Sequence, residues 1–217
     1  LADAQCGKEA RIVFLGDLVD RGPDSRGVIE MVIDGIEAGR DWIVLRGNHD
    51  QLFLDFLRAA EQGDPDLRAG AGWLGGNLGG IETLHSYGAV IPGDGAGWRA
   101  VADSIPERHK RFLAGLPFCH ETEDLFLVHA GIRPGVPLSQ QDAEDMIWIR
   151  EPFLSDTRDH GKLVVHGHTP VPEATHCGNR IDLDAGAGRG RPLYLYLFEG
   201  REVMRLTADG PVPVRHA

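Results

Sequence analysis

Four short apolar runs in this chain end alike. "RIVFL" runs into Gly16-Asp17, "WIVLR" into Gly47-Asn48-His49-Asp50, "LFLV" into His129-Ala130-Gly131, and "KLVV" into His166-Gly167-His168. Apolar runs of four to eight residues bounded by turn signals read as buried strands. Each of these strands delivers Asp, Asn or His, flanked by small residues, to its C-terminal end. Strand ends that open into glycine-containing loops are where α/β proteins build their sites, because the backbone there is free to turn polar groups inward. A lone strand-end histidine is most simply a hydrogen-bonded structural residue. Four such ends in one chain point to a shared centre.

The intervening segments set the class. In "SRGVIEMVIDGIEAG", Val28, Ile29, Val32, Ile33 and Ile36 recur at three- and four-residue steps, which predicts an amphipathic helix stopped at Gly39. "QLFLDFLRAA" predicts a second helix. Strand, helix, strand, helix at this spacing implies parallel pairing by right-handed crossovers. Shorter helices are expected over residues 81–86 and 106–113. "FCHETEDLFLVHAG" predicts two strands joined by a tight acidic turn at 121–124, and "PLYLYLFEG" with "REVMRL" a hairpin around "EG". Residues 63–80, rich in Gly, Asp and Pro, form a loop of the length that is usually functional or mobile. In that loop Trp73 and Asn77 are candidates for substrate contact, with packing of Trp73 beneath the loop the alternative. The expected class is α/β, with sheet-building at both ends of the chain.

At 217 residues a single domain with a real core is expected. The net charge of −11 argues against a nucleic-acid binder that neutralises phosphates, and leaves metal cations as partners. No apolar stretch approaches the roughly 20 residues that span a bilayer, and the start, "LADAQCGKEA", lacks the apolar segment of a signal peptide. Cys6, Cys119 and Cys177 are widely spaced, without a C-x-x-C pair, which suits a reducing cytoplasm. Oxygen and imidazole donors without thiolate suit Mn, Fe or Zn with positions left open for water. The remaining histidines, His85, His109, His120, His160, His176 and His216, lack ligand spacing and are expected to be solvated or capping.

G-D-L-V-D-R-G at 16–22, R-G-N-H-D at 46–50, H-A-G at 129–131 and H-G-H-T-P at 166–170, in this order, resemble the calcineurin-like metallophosphoesterases. The set is most similar to the bacterial branch of the PPP-type serine/threonine protein phosphatases, near the diadenosine-tetraphosphatase relatives. The resemblance implies a metallophosphoesterase fold: two mixed β-sheets packed face to face with flanking helices, in αββα layers. It implies two divalent metal ions, manganese first with iron or zinc as alternatives, and a metal-bound hydroxide as nucleophile. Asp17 would bridge the two metals, and Asn48, His129 and His168 would complete the shell of the second, with His166 close by. His49 would be the general acid that protonates the leaving alkoxide, oriented by Asp20. Arg21 and Arg150 would clamp the substrate phosphate; Arg46 would either clamp phosphate or buttress its turn, and Asp50 would tether its own loop.

The implied substrate is a phosphomonoester, phosphoserine or phosphothreonine in a protein, with dinucleoside polyphosphates as the alternative. The chain departs from the family at its start. The family's first motif, G-D-x-H-G, supplies two ligands to the first metal, yet none of the fifteen residues before Gly16 forms Asp-x-His and Asp3 stands alone. The first metal site is therefore expected to be incomplete and a first strand missing. A phosphate- or partner-binding module without catalysis is the reading from another class.

Overall fold

The computed structural model describes residues 2–63, 72–92 and 97–216. Residues 64–71, in the glycine-rich loop expected over 63–80, lie outside that description. In chain order the first half contains α1 (Ala2–Cys6), β1 (Ile12–Phe14), α2 (Ser25–Glu37), β2 (Trp42–Val44), α3 (Asn48–Glu61), α4 (Gly80–Ser86), α5 (Trp98–Ser104) and α6 (Glu107–Ala114). The second half contains β3 (Cys119–Glu121), β4 (Leu125–Val128), α7 (Ala143–Trp148), β5 (Leu163–His166), β6 (Thr175–His176), β7 (Arg180–Asp182), β8 (Leu195–Glu199), β9 (Glu202–Thr207) and β10 (Gly210–Pro213). These gather into two compact units: a sheet unit of residues 1–15, 40–45 and 117–217, and a helical unit of residues 16–39 and 46–116.

In the sheet unit, β1 and β2 pair in parallel, Ile12 opposite Trp42. The five-stranded sheet runs β3-β4-β5-β7-β6, with β4, β5 and β7 parallel and antiparallel strands at both edges. β8, β9 and β10 form an antiparallel meander. Strand alternation sorts the core. Leu125, Leu127, Leu163, Val165 and Ile181 face one way, packed with Val13, Ile43, Tyr196, Phe198 and Val203 from the two smaller sheets. Phe126, Val128 and Val164 face the other way, against Met146, Ile149 and Phe153. Each fully buried aliphatic side chain here contributes about 1.5–3 kcal/mol. The layering of sheet on sheet is as expected, with one difference: the smaller layer is two sheets, because β1–β2 and β8–β10 share no ladder of hydrogen bonds.

The helical unit starts from α2, capped by the Asp24 side chain on Gly27 N. Ile29, Val32 and Ile33 are buried, while Val28 and Ile36, expected on the same stripe, are 38% exposed. The contact face is narrower than the apolar one. α3 buries Phe53, Leu54, Phe56 and Leu57. His109 on α6, expected to be solvated or capping, is fully buried. Its Nε2 donates to Glu30 of α2 at 2.6 Å, and its Nδ1 shares a hydrogen bond with the Tyr87 hydroxyl at 2.9 Å. One imidazole thus ties α2, α6 and the end of α4 together. His160 and His176 also have little exposure, so the spacing of a histidine in the sequence is a poor guide to its burial.

Candidate functional site

Backbone strain marks the site before any chemistry does. Among the described residues, four non-glycine residues have positive φ: Asp17 at 56°, Asp20 at 76°, Arg21 at 61° and His168 at 67°. Such conformations cost about 1–3 kcal/mol each and persist where surrounding structure over-determines them. All four belong to the candidate set read from the motifs.

In the helical unit, residues 16–22 and 46–50 are locked together by Asp50. Its carboxylate accepts from Asp17 N at 2.8 Å, Gly47 N at 2.8 Å and Leu18 N at 3.0 Å. It therefore tethers two loops, where the sequence suggested one. Burial, and then the nearby Asp17 carboxylate, push the Asp50 carboxyl up to about 7, against the pull of those three N–H donors. The loops meet backbone to backbone at Gly47, where a Cβ would lie 2.1 Å from Asp17 Oδ1 and 2.4 Å from Asp17 N. Asp17 Oδ1 accepts from His49 N at 3.0 Å, which fixes the carboxylate against the first turn of α3. Asn48, the first residue of that helix, is buried.

Asp20 and His49 come together as the sequence suggested, with His49 Nδ1 2.5 Å from Asp20 Oδ2. Arg21 Nη2 lies 2.9 Å from His49 Nε2. A guanidinium only donates, so Nε2 accepts here and Nδ1 carries the proton toward Asp20. Arg46 is placed differently from a phosphate clamp. It is buried, with Nη1 on Gln51 Oε1 at 3.0 Å and Nη2 on the Leu113 and Ala114 carbonyls at 3.1 and 2.7 Å. Of its two expected roles this geometry is the buttress, because the fork is engaged by backbone oxygens at the end of α6.

The sheet unit supplies the histidines. His129 Nδ1 donates to Leu15 O at 2.7 Å, since a carbonyl can only accept. That assigns the lone pair to Nε2, the tautomer in which a backbone carbonyl holds a ligating imidazole. The His129 and His168 rings lie 5.3 Å apart at 65°, and the Trp148 ring meets His168 edge-on at 6.0 Å. His166 is fully buried, with Nδ1 toward Gly167 O at 3.2 Å and Asp182 Oδ2 at 3.7 Å. Burial drives its pKa down to about 3, and drives the Asp182 carboxyl up to about 8. Asp182 was not singled out from the sequence; its "RIDLDAG" context reads only as a strand end. Arg150 is exposed beside a cavity of about 690 Å³ lined also by Arg133, Asp145 and Trp148.

Among the described residues no group of three or more His, Cys, Asp or Glu side chains comes together as a metal cage. The donors nonetheless fit a divalent cation in kind, each unit taken by itself: in the sheet unit an imidazole held in the ligating tautomer with a second at left-handed φ beside it, and in the helical unit a carboxylate and a carboxamide on two loops locked to one another.

The profile of the calcineurin-like phosphoesterases matches residues 4–199. This chain is a calcineurin-like phosphoesterase. Members of the family are hydrolases that use divalent metal ions. Among relatives of this phosphoesterase, the asymmetrical bis(5'-nucleosyl)-tetraphosphatase PrpE of Anoxybacillus flavithermus is 24% identical, over 93% of this chain and 80% of that protein. Serine/threonine-protein phosphatase 1 of Salmonella typhimurium is 40% identical over 64 residues, 29% of this chain and 26% of that protein. The crystal structure of the cold-active protein-tyrosine phosphatase of a Shewanella species superposes with a TM-score of 0.60 at 16% identity, over 95% of this chain and 70% of that one. Together with the family match, that likeness of fold supports the α/β metallophosphoesterase architecture.

Trp73 and Thr83 are the polar partners that motif reading missed. Trp73 Nε1 donates to Asp20 Oδ2 at 2.8 Å and Thr83 Oγ1 to Asp20 Oδ1 at 2.7 Å. The only signal in the sequence was a tryptophan set in a glycine-rich loop, which left packing and substrate contact equally open.

Proposed function

We propose that this phosphoesterase hydrolyses phosphomonoesters, with phosphoserine and phosphothreonine in proteins as its substrates and His49 as its general acid. The observation that carries the reading is the 2.5 Å contact between His49 Nδ1 and Asp20. A carboxylate on Nδ1 fixes the ring so that Nε2 faces the reacting group, and stabilises the imidazolium that donates the proton. Arg21 is the phosphate clamp, its planar fork matched to two phosphate oxygens. Its Nη2 now rests on the same Nε2 that must hand over a proton. A phosphate that draws Arg21 onto its own oxygens therefore frees the Nε2 lone pair to take up a proton from water, forming the imidazolium that then donates that proton to the leaving oxygen. Arg150 is a second arginine for the phosphate or its flanking group.

Asp17, Asn48, His129 and His168 are the residues that would hold a divalent cation, manganese in this proposal. When bound, such a cation polarises the phosphoryl oxygens and lowers the pKa of water toward neutrality. The chain's own contribution is to position, to clamp and to deliver the proton.

A second reading, cleavage of dinucleoside polyphosphates, is favoured by one observation: the likeness to PrpE extends over 93% of the chain, whereas that to phosphatase 1 extends over 29%. Both use the same acid and clamp. Phosphate release from phosphoserine and phosphothreonine peptides, run beside mononucleotide release from a dinucleoside tetraphosphate with Mn²⁺, separates them. Turnover of the peptides at least tenfold more efficient than that of the nucleotide supports the proposal. The reverse ratio replaces it with the second reading, and turnover of neither removes both.

A further inference from the structure

Asp20 is held by more than the histidine it serves. Both of its carboxylate oxygens are engaged: Oδ2 by His49 Nδ1 and Trp73 Nε1, and Oδ1 by the Thr83 hydroxyl. Its backbone N–H points to Thr83 Oγ1 at 2.9 Å and Ser25 Oγ at 3.2 Å. Trp73 and Thr83 each have 0% exposure, so neither contact is shared with solvent.

The tryptophan is itself immobilised by the helix that carries His49. Its ring stacks on Phe53 at 5.1 Å and 21°, and meets Phe56 at 5.0 Å, both on α3. Beneath it Gly80 leaves room: a Cβ there would sit 2.6 Å from the indole ring. The contacts close a circuit within the helical unit, from His49 through Asp20 to Trp73 and back along α3. Thr83 closes a second circuit through α4. Asp20 sits at left-handed φ, a conformation that unassisted backbone leaves readily, so the surrounding donors are what hold its carboxylate in one plane.

We propose that Trp73 and Thr83 are positioning residues for proton transfer: by saturating both oxygens of Asp20 they fix its carboxylate, and through it the orientation of the His49 ring toward the leaving oxygen. Neither touches substrate. This rests on the phosphoesterase reading above, and adds two residues that no motif of the chain contains. The physical reason is angular. A carboxylate with one free oxygen rotates and carries the imidazole with it, and misplacement of a reacting group by about 1 Å costs on the order of 10² in rate.

The test uses Trp73→Phe, which keeps the aromatic stack and removes the N–H, and Thr83→Val, which keeps the shape and removes the hydroxyl. Thr83→Ser is the conservative control. Expected for Trp73→Phe and Thr83→Val is a loss in kcat of roughly 10- to 100-fold on a phosphoserine peptide, a markedly smaller loss on p-nitrophenyl phosphate, and little change in KM. Thr83→Ser should stay near wild type. The aryl leaving group needs no proton, so general loosening of the fold would depress both substrates alike. A second readout does not depend on turnover. In chain carrying ¹⁵N-histidine, the low-field Nδ1–H signal that disappears in His49→Asn should move upfield in Trp73→Phe and Thr83→Val and remain in Thr83→Ser. Equal losses on the two substrates, or a low-field signal unmoved in both variants, overturns the proposal. A wild-type chain that hydrolyses neither substrate removes the phosphoesterase reading, and the proton signal still decides whether Trp73 and Thr83 fix the pair.

Discussion

Each unit of this molecule buries one aspartate beside one histidine, and the two pairs are built in opposite ways. In the helical unit Asp20 and His49 are 2.5 Å apart, and Trp73 and Thr83 donate to the same carboxylate. In the sheet unit Asp182 and His166 are 3.7 Å apart, and the His166 Nδ1 proton is directed to Gly167 O. Asp182 keeps one close donor, Asp184 N at 3.0 Å. Burial then dominates, and both groups settle in their neutral forms at pH 7, the carboxyl near 8 and the imidazole near 3. Identical residue types thus make a short hydrogen-bonded pair in one place and a neutral, packed pair in the other. What separates them in geometry is the supply of donors: Asp20 has its histidine, an indole N–H and a hydroxyl within hydrogen-bonding distance, whereas Asp182 has a backbone N–H and its histidine only at 3.7 Å.

That contrast can be broken most severely at His49. His49→Asn is expected to lower turnover on alkyl phosphates by roughly 10²–10⁴, the usual worth of general acid catalysis, and less on an activated aryl phosphate. Asp182→Asn should leave the ratio of the two substrates unchanged. A leaving-group-dependent loss at Asp182, measured in parallel steady-state assays, would erase the distinction between the pairs.

The next effect belongs to Arg21. Arg21→Ala removes the charged hydrogen bonding of a clamp, and a net loss equal to one such bond, about 1.5–3 kcal/mol, should weaken inhibition by inorganic phosphate roughly ten- to hundredfold. Unchanged phosphate inhibition assigns Arg21 to holding His49 alone.

Asp182 sharpens the comparison through pH. Its pKa is about 8 folded and near the ordinary carboxylate value unfolded, so between roughly pH 4 and 8 the folded chain holds a proton that the unfolded chain has released. Stability should therefore fall as pH rises through that window, by up to about 1.4 kcal/mol per unit. His166 acts in the opposite sense: from about 6.5 down to about 3 the unfolded chain takes up a proton that the folded chain refuses, so stability is lost as pH falls. Asp50, raised to about 7, adds a slope of the same sign below that pH, so the Asp182 slope is cleanest above pH 7. Urea midpoints of metal-free protein from pH 7 to 8 should slope downward in wild type and distinctly less in Asp182→Asn; equal slopes would place Asp182 among ordinary carboxylates.

The smallest effect is expected at the surface. Arg133 meets Asp145 at 2.6 and 2.7 Å in both branches of the fork, yet its side chain is 55% exposed. Arg133→Ala should leave the urea midpoint in place, because water and salt screen such pairs. A clear fall would show that geometry alone, without burial, can hold a carboxylate here.

Much of this protein was legible in its residues. The apolar periodicity of α2, the hairpin around "EG", the parallel pairing of β1 with β2 and the four strand ends bearing Asp, Asn and His follow from local spacing and donor chemistry. The family followed from the order of the motifs. Tertiary structure decided what distance along the chain conceals. Trp73 and Thr83 lie 53 and 63 residues from Asp20 and belong to no pattern that includes it. Arg46 reads as either a phosphate clamp or a buttress until the carbonyls at the end of α6 meet its guanidinium, and His109 as solvated or capping until α2 and the end of α4 close over it. The four strand ends look equivalent in sequence, yet the first two contribute their polar residues to the helical unit and the last two to the sheet unit. Periodicity records which face a residue turns away from water. Which donor meets a buried acceptor is a contact between distant segments, and only the folded backbone brings those into register.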